Sequence, residues 1–214
     1  MGESKIRVGV DIGGTFTDVA LEKGEEIFSA KVLTNYTQPE QAIIDGIKKA
    51  AEVADVSFSH IDTVIHGTTL ATNSLIERRG AHTAFITTEG FRDVIEMRTE
   101  SRFEQYDLNI ALPAPLIPRH DRYVIGGRIA ANGEELMPIN HDMLQEVIEK
   151  IRQEGYESIA VGLMHSYRNP AHERQVKKAI EENLRGVSVS ISSDVSPQIR
   201  EYERFNTVCA NAYV

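Results

Sequence analysis

Val8-Gly9-Val10-Asp11-Ile12-Gly13-Gly14-Thr15-Phe16-Thr17-Asp18 is the stretch whose reading decides the fold. Ile6, Val8, Val10 and Ile12 alternate with Arg7, Gly9 and Asp11, the two-residue period of a strand. After the Gly-Gly break, Thr17, Val19 and Leu21 alternate with Asp18, Ala20 and Glu22, which gives a second strand. Gly24-Glu25 turns the chain into a third strand around Ile27 to Val32, so an antiparallel meander is expected.

Chemistry gathers at the turn. Gly13 and Gly14 permit backbone angles closed to other residues, so successive N–H groups can point at one anion. Thr15 and Thr17 add hydroxyls, and Gly9 leaves open space beside the Asp11 carboxylate. Asp11 cannot touch phosphate directly without repulsion, so its expected role runs through a water of hydrated Mg²⁺ or through alignment of a nucleophile. A plain Gly-Gly turn beside a solvated aspartate would use the same letters. The added threonines and the element order favour phosphate. No Gly-x4-Gly-Lys-Ser/Thr is present, and no Gly-x-Gly-x-x-Gly follows a strand, which removes a P-loop and a dinucleotide fold.

Outward from the meander, Pro39 suits the first position of a helix carrying Ile43, Ile47, Ala50, Ala51 and Ala54. A strand at Thr63–Gly67, a helix from Thr69 to Arg79 closed by Gly80, and a strand at Ala84–Thr88 complete the order βββ-α-β-α-β. Residues 98–140, interrupted by Pro113, Pro115 and Pro118, read as an irregular excursion ending in a hairpin, Arg122–Ala130 against Glu134–Ile139 across Asn132-Gly133. Asn140 then caps a helix ended by Gly155, Ser158–Met164 reads as a strand buried on both faces, and Asn169-Pro170 opens another helix. A strand through Val187, Val189 and Ile191 precedes a last helix opened by Ser196-Pro197, whose Tyr202, Glu203 and Arg204 read as an exposed stripe. That helix has no stop signal before Val214. A longer protein is therefore expected. The fold class is α/β, divided as 1–97, 98–140 and 141–214.

The composition narrows function. The chain has 214 residues, 26% of them charged, with a formal net charge of −9 and no basic run to track a nucleic-acid backbone. No apolar run can span a membrane and no signal peptide is evident, so the cytoplasm is expected. The single thiol, Cys209, lies in an apolar helical pattern and reads as core. The seven histidines never fall at i,i+4 on one helix, so zinc would require long-range assembly. Arg92, Asp93, Arg98, Glu100 and Arg102 form a charged stretch that is either a solvated face or a lid.

A second constellation is His66-Gly67-Thr68-Thr69-Leu70-Ala71-Thr72-Asn73-Ser74-Leu75-Ile76-Glu77-Arg78-Arg79-Gly80-Ala81. His66 ends a strand and Thr68-Thr69 opens a helix, whose N-terminus offers free N–H groups and partial positive charge. Thr68, Thr69, Thr72 and Asn73 could hold a phosphate or an amide substrate. A helix cap plus a satisfied histidine accounts for the spacing equally well.

The turn and element order resemble the actin-like ATPase superfamily of sugar kinases, heat-shock chaperones and actin. The His66–Ala81 string, with Gly90-Phe91-Arg92-Asp93-Val94-Ile95-Glu96 and Tyr202-Glu203-Arg204-Phe205-Asn206-Thr207, is similar to the hydantoinase A/5-oxoprolinase family. The resemblance implies an RNase H-like N-terminal half of an ATP-dependent A-type component. Such a component activates a cyclic amide or imide by phosphorylation for ring-opening hydrolysis. It also implies ATP on Gly13, Gly14, Thr15 and Thr17, Asp11 and His66 as catalytic, a B-type component as partner, and an inactive isolated fragment. The A-type component of an acetone or acetophenone carboxylase is the alternative. A ROK-like sugar kinase or repressor shares Asp-x-Gly-Gly-Thr, but here Phe16 follows Thr15 where those proteins carry Lys, and the Cys-rich zinc motif is missing. A non-catalytic actin-like ATP-binding module is a third reading.

Overall fold

The computed structural model describes residues 5–35, 37–99, 104 and 106–214. The chain divides into two compact units, Met1–Glu77 and Arg78–Val214.

The first unit contains β1 (Ile6–Ile12), β2 (Phe16–Lys23), β3 (Glu26–Leu33), α1 (Pro39–Val53), β4 (Thr63–Thr68) and α2 (Leu70–Glu77). Its sheet runs β3-β2-β1-β4, with β1-β2 and β2-β3 antiparallel and β1-β4 parallel. Alternation does the folding work. Val8, Val10, Ile12, Val19 and Leu21 face α1 and meet Ile47, Ala50 and Ala51. Gly46 lets α1 approach closely, since a Cβ there would lie 2.6 Å from Val19 Cγ2. Pro39 opens α1 as expected, and the preceding turn is tied by Asn35 Oδ1, which accepts from the Thr37 and Gln38 amides.

The second unit is built on a parallel sheet. It contains β5 (Thr83–Thr88), α3 (Val94–Met97), β6 (Arg122–Ile125), β7 (Arg128–Ile129), β8 (Glu135–Met137), α4 (His141–Glu154), β9 (Ser158–Gly162), α5 (Ala171–Asn183), β10 (Ser188–Ile191), α6 (Ser192–Val195) and α7 (Glu201–Tyr213). The order β10-β9-β5-β6 is parallel throughout. One face packs α4 and α5 through Ile86, Leu144, Ile148 and Val176. The other packs α7 through Phe85, Ala160, Phe205 and Val208. Covered on both faces, β5 and β9 are buried at every position. Asn140 caps α4 by accepting the Met143 amide, and Gly155 ends it at φ +70°.

Four details differ from the sequence expectation. The division falls at 77/78 rather than after residue 97, because β5 hydrogen-bonds to β9 and β6 and so belongs to the second sheet. Helix α2 stops at Glu77, and Arg78, not Gly80, takes the left-handed backbone at φ +56°. The long first arm of the hairpin is two strands. β6 joins the parallel sheet, and only β7 pairs with β8, across a three-residue loop with Gly133 at φ +93°. The last helix starts at Glu201 rather than beside Pro197, after the separate turn of α6.

Arg204 is also not exposed. It is fully buried and donates to the Leu163 and Gln198 carbonyls, Ser192 Oγ and Glu201. Its buried counterpart Glu173 accepts from the Leu163 and Ser193 amides and from Ser192 Oγ. Together these groups satisfy the chain where it leaves β9 and β10.

Candidate phosphate site on the first sheet

The face of the first sheet opposite α1 carries the candidate site. Strand register places Asp11 between Asp18 of β2 and Gly67 of β4, and places Gly9 between Ala20 and Ile65. Neither glycine fills the ground beside the carboxylate: a Cβ on Gly9 would meet only the Ala20 carbonyl at 4.0 Å, and one on Gly67 only the Val10 carbonyl at 3.9 Å. The result is an open depression of about 420 Å³ whose rim includes Asp11, Asp18, Ser29 and Ile65.

Asp11 and Asp18 are a like-charge cross-strand pair, an unfavourable arrangement unless compensated. Asp18 is compensated by Lys31, opposite it on β3 at 2.8 Å, and Lys31 also lies 5.0 Å over the Phe16 ring. Asp11 is exposed and has no ion pair among the described residues. Its hard oxygen ligands suit a hydrated divalent cation, and the two glycines leave room beside it for a group that the cation carries. The residues present thus fit an Mg²⁺-nucleotide.

The turn itself is tighter than expected. The Gly13 amide donates to the Phe16 carbonyl at 3.0 Å, so it is spent inside the turn. Gly13 needs to be glycine for steric reasons rather than for a positive φ, because a Cβ would lie 3.0 Å from that same carbonyl. Thr17 is fully buried on the α1 face. Its hydroxyl lies 3.1 Å from Thr34 Oγ1, which in turn donates to the Gly13 carbonyl at 2.9 Å. Since Thr34 has already given its proton, Thr17 is the donor between them. Thr17, expected to face phosphate, is instead buried and braces the turn through Thr34. Gly14 and Thr15 remain at the surface, with Thr15 exposed. Thr34 and Lys31 were missed by the sequence reading, although carrying the β2–β3 pairing one step past Leu33 puts Thr34 beside the turn.

The second constellation has a different geometry. β4 pairs His66 with Val10 and Gly67 with Asp11, so alternation puts His66 on the α1 face and Asp11 on the other. The sheet does not bring these two candidate catalytic residues together. The Thr69 amide and hydroxyl both donate to the Ile12 carbonyl at 3.2 Å, and Thr69 Oγ1 accepts from Asn73 Nδ2 at 3.2 Å. Thr68 Oγ1 accepts the Leu70 amide. These bonds hold α2 to the end of β1. Thr72 is exposed.

Elsewhere, burial pushes the Cys209 thiol far above its ordinary range, as a core residue requires. In the charged stretch, Asp93 forms a two-pronged pair with Arg119 at 2.8 and 3.0 Å, which holds its carboxyl below the usual range. Glu96 pairs with buried Arg122 at 2.7 Å, and Arg98 bonds the Pro113 carbonyl. Glu100 and Arg102 lie outside the described residues. Among the described residues no group of three or more His, Cys, Asp or Glu is placed to hold a metal, and no helix is long and apolar enough to cross a membrane.

The chain is thus an α/β protein with a Gly-Gly turn on a mixed sheet followed by a parallel sheet, and comparison with known proteins gives its family. Residues 7–184 match the hydantoinase/oxoprolinase N-terminal region, and the chain belongs to that family. It is 40% identical to an uncharacterized protein of Methanocaldococcus jannaschii, over 97% of this chain and 31% of that protein. It is 33% identical to the caprolactamase alpha subunit of Pseudomonas jessenii, over 100% of this chain and 32% of that subunit. The crystal structure of the ATP-dependent caprolactamase from that organism superposes with a TM-score of 0.83 over 97% of this chain and 31% of the other. Nucleotide-free acetone carboxylase shares the fold, with a TM-score of 0.86 at 23% identity over 98% of this chain and 32% of that one. The chain thus spans about a third of the length of these relatives.

Proposed function

We propose that this chain supplies the N-terminal phosphate-handling part of an ATP-dependent enzyme that activates a cyclic amide or imide for ring-opening hydrolysis. The observation that carries the reading is the Asp11 carboxylate, left uncompensated beside the cleared ground of Gly9 and Gly67 and next to the braced Gly13 turn. Family membership and the 33% identity to a caprolactamase subunit support this reaction class. An RNase H-like, actin-like half is the fold reading that accompanies it.

In this reading Gly13, Gly14 and Thr15 border the β- and γ-phosphates. Asp11 holds a water of the metal and aligns the transfer. Thr17, Thr34 and Lys31 keep the turn and the neighbouring carboxylate in place. Thr68, Thr69 and Asn73 set α2 at the end of β1, while His66 and Thr72 meet substrate or partner on the other face. When bound, Mg²⁺-ATP supplies the phosphoryl group that makes the amide carbon easier for water to attack. A B-type component and the remainder of an A-type polypeptide are the proposed partners, and a cytoplasmic location is proposed with them.

The test is ATPase activity in a polypeptide extended to the length of the relatives, with and without caprolactam, hydantoin or 5-oxoproline. Turnover should depend on one of these cyclic amides. Asp11→Ala should reduce it by about 10³-fold or more with an unchanged circular dichroism spectrum. Unchanged turnover in Asp11→Ala would sink the assignment. The 214-residue chain alone should bind ATP weakly and turn over nothing.

A further inference from the structure

The second unit holds a basic cavity that the phosphate reading does not use. Its volume is about 280 Å³, close to the lower end of small-molecule pockets. Tyr123 and Val124 of β6 both line it. Consecutive strand residues point to opposite faces, so the cavity lies beside the open edge of β6, the last strand of its sheet. Met143, Val147 and Lys150 of α4 form one wall, and Arg92 and Arg122 form another. In a chain of formal net charge −9, three cations gather here. Glu146, one turn before Lys150, is the carboxylate of the lining and offsets only one of them.

Both arginines have a nitrogen to spare. Arg122 is 1% exposed. Its Nε donates to the Ile117 carbonyl at 3.0 Å, and its Nη2 pairs with Glu96 at 2.7 Å. Its Nη1 is buried without a hydrogen-bond partner among the described residues. Asp93 Oδ1, 3.7 Å from it, attracts its charge but is too far to accept a bond. Arg92 Nη2 donates to the Arg119 carbonyl at 2.8 Å, while Arg92 Nε is likewise buried and unpartnered. A buried donor is expensive to leave unpaired, so two such donors on one cavity mark a place for an acceptor.

We propose that this cavity binds a small oxyanion, the carboxylate or phosphate group of a compact ligand, between Arg92 Nε and Arg122 Nη1. Lys150, exposed on α4, adds charge at the mouth. Guanidinium groups match the oxygens of either anion. Val124, Val147 and Met143 give the rest of the ligand an apolar wall. ATP and the first sheet take no part, so the failure of this site leaves the proposed reaction untouched.

Titration of the 214-residue chain with sodium phosphate and, separately, sodium acetate tests it, at constant ionic strength held with chloride. The readout is the arginine Nε–H signals in ¹H–¹⁵N spectra, with the Arg92 signal identified by its loss in Arg92→Gln. At least one salt should shift the Arg92 and Arg122 signals along a saturating curve, and the tighter of the two names the ligand group. Arg92→Gln should weaken that binding by about tenfold or more, read on the Arg122 signal. Arg92→Lys keeps the charge but loses the fork, and should not restore it. Lys150→Gln, an exposed change that leaves the fold intact, should weaken binding severalfold. Lys178→Gln on α5 should change nothing. Absence of a saturating shift with either salt would overturn the proposal and leave the two arginines as structural groups. Undiminished affinity in both Arg92→Gln and Lys150→Gln would overturn it too, by placing the anion elsewhere.

Discussion

Strands β4 and β5 are each six residues long, each begins and ends with threonine, and each follows its first threonine with apolar residues, Val64-Ile65 in one and Ala84-Phe85-Ile86 in the other. One is exposed at every position and the other is buried at every position. Their sequences do not explain the difference. β5 lies between β9 and β6 with helices on both faces, whereas β4 has one strand neighbour and little cover. Burial is a property of what surrounds a strand as much as of its own residues.

Mutation can break this comparison or sharpen it. The largest effect belongs to Phe85→Ala in β5, where the ring is fully buried against Phe205. It should cost about 3–5 kcal/mol in urea denaturation followed by circular dichroism. Val64→Ala in β4 should cost no more than about 0.5 kcal/mol in the same chain. Equal costs would mean that β4 is covered in solution. Next comes Thr17→Val, which removes one buried hydroxyl that donates to Thr34. A loss of about 1 kcal/mol is expected, with ATP affinity of the extended polypeptide changed less than by Thr15→Ala. The reverse ranking would return Thr17 to the phosphate site.

The smallest effect is Asp93→Asn. The Asp93 carboxyl is held below its ordinary value by Arg119, so its contribution is present above the unfolded-state value and disappears as pH falls through the lowered folded-state value. Wild type should lose its small advantage over Asp93→Asn only below the usual carboxylate range. An advantage that does not shrink at all as pH falls below that range would show that the pair is not its source.

Much of this was legible in the sequence, for a physical reason: period-two and helical patterns record which side chains meet apolar neighbours. They gave the meander, α1, the Asn140 and Gly155 ends of α4, and buried β9. The same alternation put Thr17 in one row with Val19 and Leu21, on the apolar face, yet the phosphate motif suggested a ligand. The structure sides with the alternation. The face of His66 was not legible, because strand parity is fixed only by the register of β4 on β1. Assignment of β5 to the second sheet was hidden for the same reason: partners of a parallel strand lie far away in the chain. Arg204 was misread because charge suggests solvent, and only the fold reveals the carbonyls, hydroxyl and carboxylate gathered to receive its guanidinium.

The Thr34 brace has a consequence for the timing of recognition. One hydroxyl, 21 residues downstream of Gly13, joins the end of β3 to the turn between β1 and β2. Together with the Thr34 amide on the Thr15 carbonyl, it fixes the loop before any anion arrives. Loop ordering is an entropic cost that a ligand must otherwise meet on binding. Here folding has already met it, so an anion bound as proposed would be held according to how well it matches the loop's shape rather than how readily the loop bends.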